Sequence, residues 1–299
     1  MKQVAVSEII NFLNREGFKF DVYGDLNYSI QGFSSIANYH EDSITWLKSE
    51  EMVYDRSRFI AVCVVQKGIK INANVVIESD ESKNIFFAIL DQFFSNDLDV
   101  EKVFIGEGSV IGTDVKIGKD VRIGCNCSIS GKVKIGDGTV IHDNVVIKNN
   151  VLIGKNCIIQ SLSVIGEDGF GYYEDENHIK TMIKHYGGVK IGDNVFIGSH
   201  VNIARGTIDD TVIENGVKIA PSTHIGHNNL LQENVTVICS NLYGSVKVGT
   251  NAYITASTIK NQCSIGENTM IGIGTVVNKS VEANKVAVGI PVKIIRDNL

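Results

Sequence analysis

Histidine is the side chain whose charge changes nearest neutral pH. Of the seven in this chain, three fall close together: His200, His224 and His227. Metal binding is the first chemistry to test. His224 and His227 are three apart, and on a strand or corner that odd spacing sends the two side chains in different directions. No cysteine or carboxylate stands at a supporting spacing, so zinc fits poorly. A general base fits better, because an imidazole near its ordinary pKa can accept a proton from an attacking amine. His227 lies in Ile225-Gly226-His227-Asn228, just past an apolar position of the repeat described below. A solvated corner histidine is the alternative, and spacing does not choose between the two. Glu167 and Asp168 have two readings as well, ligand contacts or solvated turn residues. The single tryptophan, Trp46, is either a core side chain or a platform for a flat ring such as a nucleobase. No phosphate-cradling Gly motif and no Ser-His-Asp spacing appears, so kinase, dehydrogenase and hydrolase chemistry lack support.

These residues must be held by a repeat. Every sixth position holds isoleucine from Ile105 through Ile111, Ile117, Ile123, Ile129, Ile135, Ile141, Ile147, Ile153 and Ile159 to Ile165. A period of six fits neither a 3.6-residue helix nor two-residue alternation. It fits short strands joined by tight turns, three strands to an 18-residue coil, with the aliphatic residue pointing inward. Glycine often follows the isoleucine, as at Gly106, Gly112, Gly118 and Gly124, where it is expected to supply backbone freedom at the turn. Coils stacked at strand spacing bury what no single coil can bury alone. The expected architecture is a parallel β-helix of hexapeptide repeats.

The register breaks after Ile165. Residues 166–188 form an insertion rich in aromatic and charged residues, which must leave the stack as a protruding loop. The repeat resumes at Ile191, Ile197 and Ile203. Four extra residues, 207–210, move the next position to Ile213, followed by Ile219, Ile225, Leu231 and Val237, and the series closes on Ile265, Ile271 and Val277. Residues 1–98 read as a separate small α/β domain. A first helix is expected to be capped by Ser7 and stopped by Gly17, and a second spans 82–94. Strand-like runs lie at 18–22, 28–36 and 59–65, and a polar link covers 95–97. The solenoid is assigned to 99–288 and a C-terminal tail to 289–299.

Composition bounds the rest. In 299 residues there are 29 Gly and 2 Pro, and the net charge of -6 argues against a nucleic-acid partner. No signal peptide and no membrane-length apolar run is visible, which leads to the expectation of a cytoplasmic protein. The six cysteines read as reduced residues, four of them in repeat positions where other coils carry Val, Ser or Thr.

Several stretches together resemble a known family. They are Gly166-Glu167-Asp168-Gly169-Phe170-Gly171, Gly187-Gly188-Val189-Lys190-Ile191-Gly192, 205–213 with its Asp209-Asp210 pair, and Gly226-His227-Asn228. They resemble UDP-3-O-acyl-glucosamine N-acyltransferases of lipid A synthesis. Ile30-Gln31-Gly32-Phe33 and Ser43-Ile44-Thr45-Trp46-Leu47 look like that family's nucleotide-binding domain. The resemblance implies a left-handed β-helix, an exception to right-handed crossovers, and a homotrimer with active sites between subunits. It implies His227 as catalytic base and the Gly244 N–H as oxyanion donor. It further implies Trp46 on the nucleobase, with Glu167, Asp168, Phe170 and Asn228 as substrate contacts.

Departures from the family pattern redirect the functional expectation. Ala220 stands where the family carries an acidic residue, Ala204 where an Asp precedes Arg-Gly, Gln262 at a second histidine, and Met52 at the partner aromatic. The family's C-terminal helical extension, which meets acyl carrier protein, has no counterpart before Leu299. Gly289-Ile290-Pro291-Val292-Lys293 instead resembles the tail of CoA-dependent hexapeptide acyltransferases. The sequence therefore leads to an N-acyltransferase moving an acyl group from acyl-CoA to the amine of a nucleotide-linked, dTDP-type aminosugar. No bound cofactor is expected, acyl-CoA being a co-substrate, with Lys285, Lys293 and Arg296 for its phosphates. The alternative is the lipid A enzyme's own reaction, with acyl carrier protein and a UDP-sugar.

Overall fold

The computed structural model describes residues 3–52, 54–55, 57–95 and 103–298. The chain divides into two compact units, Met1–Asp99 and Val100–Leu299. Of the polar link at 95–97, residues 96 and 97 lie outside the described residues.

In the first unit a five-stranded sheet runs in the order Asp21–Gly24, Ala73–Ser79, Ile60–Gln66, Ser43–Leu47, Gly32–Phe33. The first pair is antiparallel and the rest are parallel. Helix α1 (Val6–Arg15) buries Val6, Ile9, Phe12 and Leu13, and α2 (Ser82–Phe94) buries Ile85, Phe86 and Ile89 in the same core. Ser7 does not cap α1. It sits inside the helix, and the free backbone N–H of Ala5 is taken by the Glu8 side chain at 3.1 Å. Strand Ile60–Gln66, IAVCVVQ, is buried on both faces, so it shows no alternation. There Cys63 is packed among aliphatics, and burial pushes its thiol up to about 12.

The second unit is a left-handed parallel β-helix. Its three sheets hold eleven, nine and eight strands among the described residues. Partners fall 18 residues apart in the early coils, as Ile105 with Ile123 and Ile111 with Ile129. Later coils shorten to 17, as Leu230 with Lys247 and Thr236 with Tyr253. That shortening hides Leu242, Val248, Ile254 and Ile259 from a strict count of six, although all four are buried core residues. From Ile123 on the inward isoleucines are closed from solvent, while Ile105 on the first coil is 44% exposed, having no coil beneath it. Each fully buried isoleucine contributes roughly 1.5–3 kcal/mol.

The glycine after the isoleucine serves a different purpose from the one expected. Gly106, Gly112, Gly118, Gly124, Gly136 and Gly154 do not take positive φ; Asn126, Asn144, Asn156 and Asn194 do, at the turns. A Cβ on Gly106 would stand 2.5 Å from the Gly124 carbonyl carbon, and one on Gly136 would meet Gly154 as closely. At these corners coil-to-coil approach, rather than turn conformation, demands the missing side chain, whereas Gly112 has ordinary clearance at 3.4 Å and Gly166 does take positive φ.

The insertion is an antiparallel arm whose strands Tyr172–Glu174 and Lys180–Met182 pair with each other and with nothing in the solenoid. Its base is clamped. The Asp210 carboxylate accepts the Gly188 N–H at 2.6 Å and pairs with Lys190 at 2.8 Å, and that lysine holds the Asp210 carboxyl below its usual range. Buried Arg205 donates from Nε to the Gly187 carbonyl at 2.7 Å.

Candidate active site

The nine-stranded face supplies the wall of the site. Its outward ladder runs Val110, Ser128, Val146, Val164, Asn202, His224, Asn241, Thr258, Val276, one residue per coil. Where the ladder turns polar there is a cavity of about 600 Å³. Asn202, Ala204, His224, His227, Gly244 and Gln262 line it from the coils, and Asp168, Gly169 and Phe170 line it from the base of the arm.

His227 occupies the corner after Ile225, and its tautomer follows from its neighbours. Asn228 Oδ1 accepts from the Thr207 N–H at 3.0 Å and the Thr207 hydroxyl at 2.9 Å, while Asn228 Nδ2 donates to the Asp209 carbonyl at 2.9 Å. The amide is thereby oriented, so the 3.0 Å contact from His227 Nδ1 to Asn228 Oδ1 requires a proton on Nδ1. A neutral His227 then carries its lone pair on Nε2. Gly244 lies against that nitrogen: a Cβ there would come within 2.5 Å of Nε2. Among the described residues the Gly244 N–H donates to no acceptor. A proton acceptor thus lies against a residue whose backbone donor is unused, and addition of a nucleophile to a carbonyl calls for both kinds of group.

Asn228, expected as a substrate contact, does not line the cavity; its side chain is engaged by Thr207, Asp209 and His227, which orients the imidazole and braces 207–210. His224 is half-buried, with Nδ1 3.0 Å from Asn202 Oδ1; burial, and secondarily His227, lowers its pKa. Phe170 is 76% exposed at the cavity mouth. Asp168 is divided between the His185 N–H at 3.2 Å and Arg205 at 3.9 Å. Glu167 does not line the cavity; its carboxylate pairs with Lys148 at 2.7 Å. Ala220 is also off the cavity, whereas Ala204 and Gln262 line it.

Trp46 lies in the first unit, on the strand Ser43–Leu47 rather than on a loop. One ring face stacks on Phe86 at 6.2 Å and its indole N–H donates to Ser82 at 3.1 Å. The three cations expected to hold CoA are not brought to His227. They sit in strands Lys285–Val288 and Lys293–Asp297 of the eleven-stranded sheet, and Lys285 is paired with Asp297 at 2.6 Å.

His185 escaped the sequence reading. It lies on the arm, outside the repeat, where no register could place it. It is fully buried, with its ring edge-to-face against His227 at 5.3 Å between centroids.

With this geometry in hand, the known proteins are informative. Residues 132–167 match the family model for the bacterial transferase hexapeptide, six repeats. The chain carries that repeat. A UDP-3-O-acylglucosamine N-acyltransferase of Delftia acidovorans is 40% identical over 97 residues, which is 32% of this chain and 29% of that protein. The enzyme of the same name from Saccharophagus degradans is 52% identical over 71 residues, 23% of this chain and 20% of its own. The matched segment is thus under a third of the length of these relatives. Among solved structures, LpxA from Acinetobacter baumannii is 28% identical with a TM-score of 0.59, covering 65% of this chain and 74% of its own. A Francisella novicida UDP-N-acetylglucosamine acyltransferase is 26% identical with the same TM-score, covering 64% and 69%. Names among these proteins carry UDP-sugars, and the dTDP-aminosugar, CoA-dependent reaction expected from the sequence finds no support among them.

Proposed function

We propose that this chain is an N-acyltransferase acting as a homotrimer. It would transfer an acyl group from a thioester on acyl carrier protein to the amine of a UDP-linked, 3-O-acylated glucosamine. The observation that carries the reading is His227, held with Nδ1 protonated by Asn228 and with bare Nε2 against Gly244, whose N–H has no acceptor among the described residues. The amine nitrogen attacks the thioester carbonyl carbon, and Nε2 takes the proton that the new C–N bond makes acidic. The Gly244 N–H receives the oxyanion. As the C–S bond breaks, the imidazolium returns its proton to the departing sulfur. Phe170, apolar at the cavity mouth, would contact the acyl chain, and Asp168 the sugar. Trp46 would meet the base with the ring face opposite Phe86.

The names of the relatives support the UDP-sugar acceptor. The placement of Lys285, Lys293 and Arg296 away from the cavity weighs against a CoA phosphate site there. The decisive test is turnover with purified protein in four arms, crossing acyl carrier protein or CoA thioesters with UDP or dTDP aminosugars. N-acylation of the UDP-sugar from the carrier protein is expected. Turnover from acyl-CoA alone overturns the donor, and absence of turnover in every arm overturns the activity.

A further inference from the structure

His185 is a titratable side chain at the cavity that this mechanism does not use. Its ring is closed from solvent, and Nδ1 lies 3.0 Å from the Ile183 carbonyl. A carbonyl only accepts, so Nδ1 carries the proton and Nε2 of the neutral ring is a bare lone pair. That buried nitrogen has no hydrogen-bond partner among the described residues. A buried polar atom left without a partner is costly and calls for a reason. Its position supplies one. A Cβ on Gly169 would stand 3.0 Å from His185 Nε2 and 3.0 Å from His227 Cδ2, so the two ring edges converge on the same glycine.

We infer that His185 is a positioning residue for His227. The arm holds the negative end of its imidazole dipole beside the ring of the base, across Gly169, and so stabilises the imidazolium formed when Nε2 takes a proton. This rests on the proposed function for its catalytic consequence, though not for its electrostatics. The arm fixes the ring through two further contacts: the His185 N–H donates to Asp168, which pairs with Arg205. Gly169 leaves no room for a side chain between the imidazoles. The other titratable or charged groups around His227 are His224 three residues before it on the same coil, Tyr243 on the next coil, and Asp168 with Arg205 at the arm base. None of them presents a buried, unpartnered lone pair.

The test compares His185→Phe, which keeps a flat ring and removes the lone pair, with His185→Gln, which restores an acceptor. Proton NMR titration of His227 in the unliganded protein should show its pKa about one unit lower in the Phe variant and largely recovered in the Gln variant. The turnover rate should fall about tenfold in the Phe variant with the acceptor KM unchanged, and the acid limb of the pH profile should move with the NMR pKa. An unmoved His227 titration in His185→Phe overturns the inference, as do equal shifts in both variants, which would mean packing alone. The titration needs no turnover, so failure of the proposed activity is read separately. In the native protein, the ¹⁵N shift of His185 should report an unprotonated Nε2 at neutral pH. A protonated Nε2 overturns the inference even if neither variant folds.

Discussion

The nine-stranded face has one interior and two exteriors. Inside, Ile129, Ile147, Ile165, Ile203, Ile225, Leu242 and Ile259 stack in register and are fully buried, with Ile111 on the first strand partly so. Outside, the early coils present Val110, Ser128, Val146 and Val164, and the later ones Asn202, His224, Asn241 and Thr258. The changeover falls between Val164 and Asn202, where the arm leaves the stack. The difference shows how labour is divided in a solenoid. Inward positions carry the fold coil by coil, so outward positions can change character within one coil without disturbing the ladder. An insertion at that same point then adds the wall that a flat sheet lacks.

The comparison is tested most severely at the outward corner. His227→Ala should lower the turnover rate by about 10²–10⁴-fold, the range for loss of a general base, with little change in KM. Because that side chain adds nothing to the buried column, the melting temperature should stay close to that of the unaltered protein. A large drop in melting temperature with only a small loss of rate would mean that the corner serves the fold, and would dissolve the distinction between the two surfaces.

The interior should respond in the opposite way. Ile225 is fully buried two residues before His227 on the same coil, stacked on Ile203 of the coil before. Ile225→Ala should cost about 2–5 kcal/mol of stability, the range for a cavity in a packed core. Val164→Ala, on the outer ladder of an earlier coil, should cost about 0.5 kcal/mol or less. Denaturant unfolding of the two variants gives the contrast directly. A cost at Val164 comparable to that at Ile225 would mean that the valine ladder is itself covered, as the proposed trimer would do.

What could be read from the letters follows the same division. The six-residue spacing of isoleucine carries the solenoid because inward positions admit one kind of side chain at fixed intervals. It lost Leu242, Val248, Ile254 and Ile259 because coils there shorten by one residue. The site was legible at His227, which follows an isoleucine whose register can be counted, whereas Gly244 came only from the family resemblance, beyond the shortened coil. It was not legible where the chain leaves the repeat. Asn228 looked like a substrate contact because the letters do not show that 207–210 folds back onto its amide. His185 was invisible because an arm has no register. Lys285, Lys293 and Arg296 were grouped by nearness in sequence, yet they belong to a different sheet from the cavity. Trp46 was left between core and platform because the letters do not show that one ring face is taken by Phe86 and the indole N–H by Ser82.

The smallest expected effect lies on the polar part of the outer ladder. His224 has a pKa lowered from 6.5, first by burial and then by its neighbour His227. A group whose folded pKa is depressed binds its proton more readily in the unfolded chain, so stability is lost as the pH falls. Above 6.5 both states are neutral and His224 contributes no pH dependence. Below it, the unfolded chain takes up a proton that the folded site resists, and the loss continues until the folded pKa is passed. His224→Gln keeps a polar side chain beside Asn202 and removes the titration. Its melting temperature should therefore fall less than that of the unaltered protein between pH 7 and pH 5.5, by on the order of one or two degrees. The equivalent comparison with Val146→Thr, on the apolar part of the ladder, should show no such difference. Parallel pH curves for the unaltered protein and His224→Gln would mean that the histidine is as well solvated as a surface residue, and that the polar ladder lines no dry site.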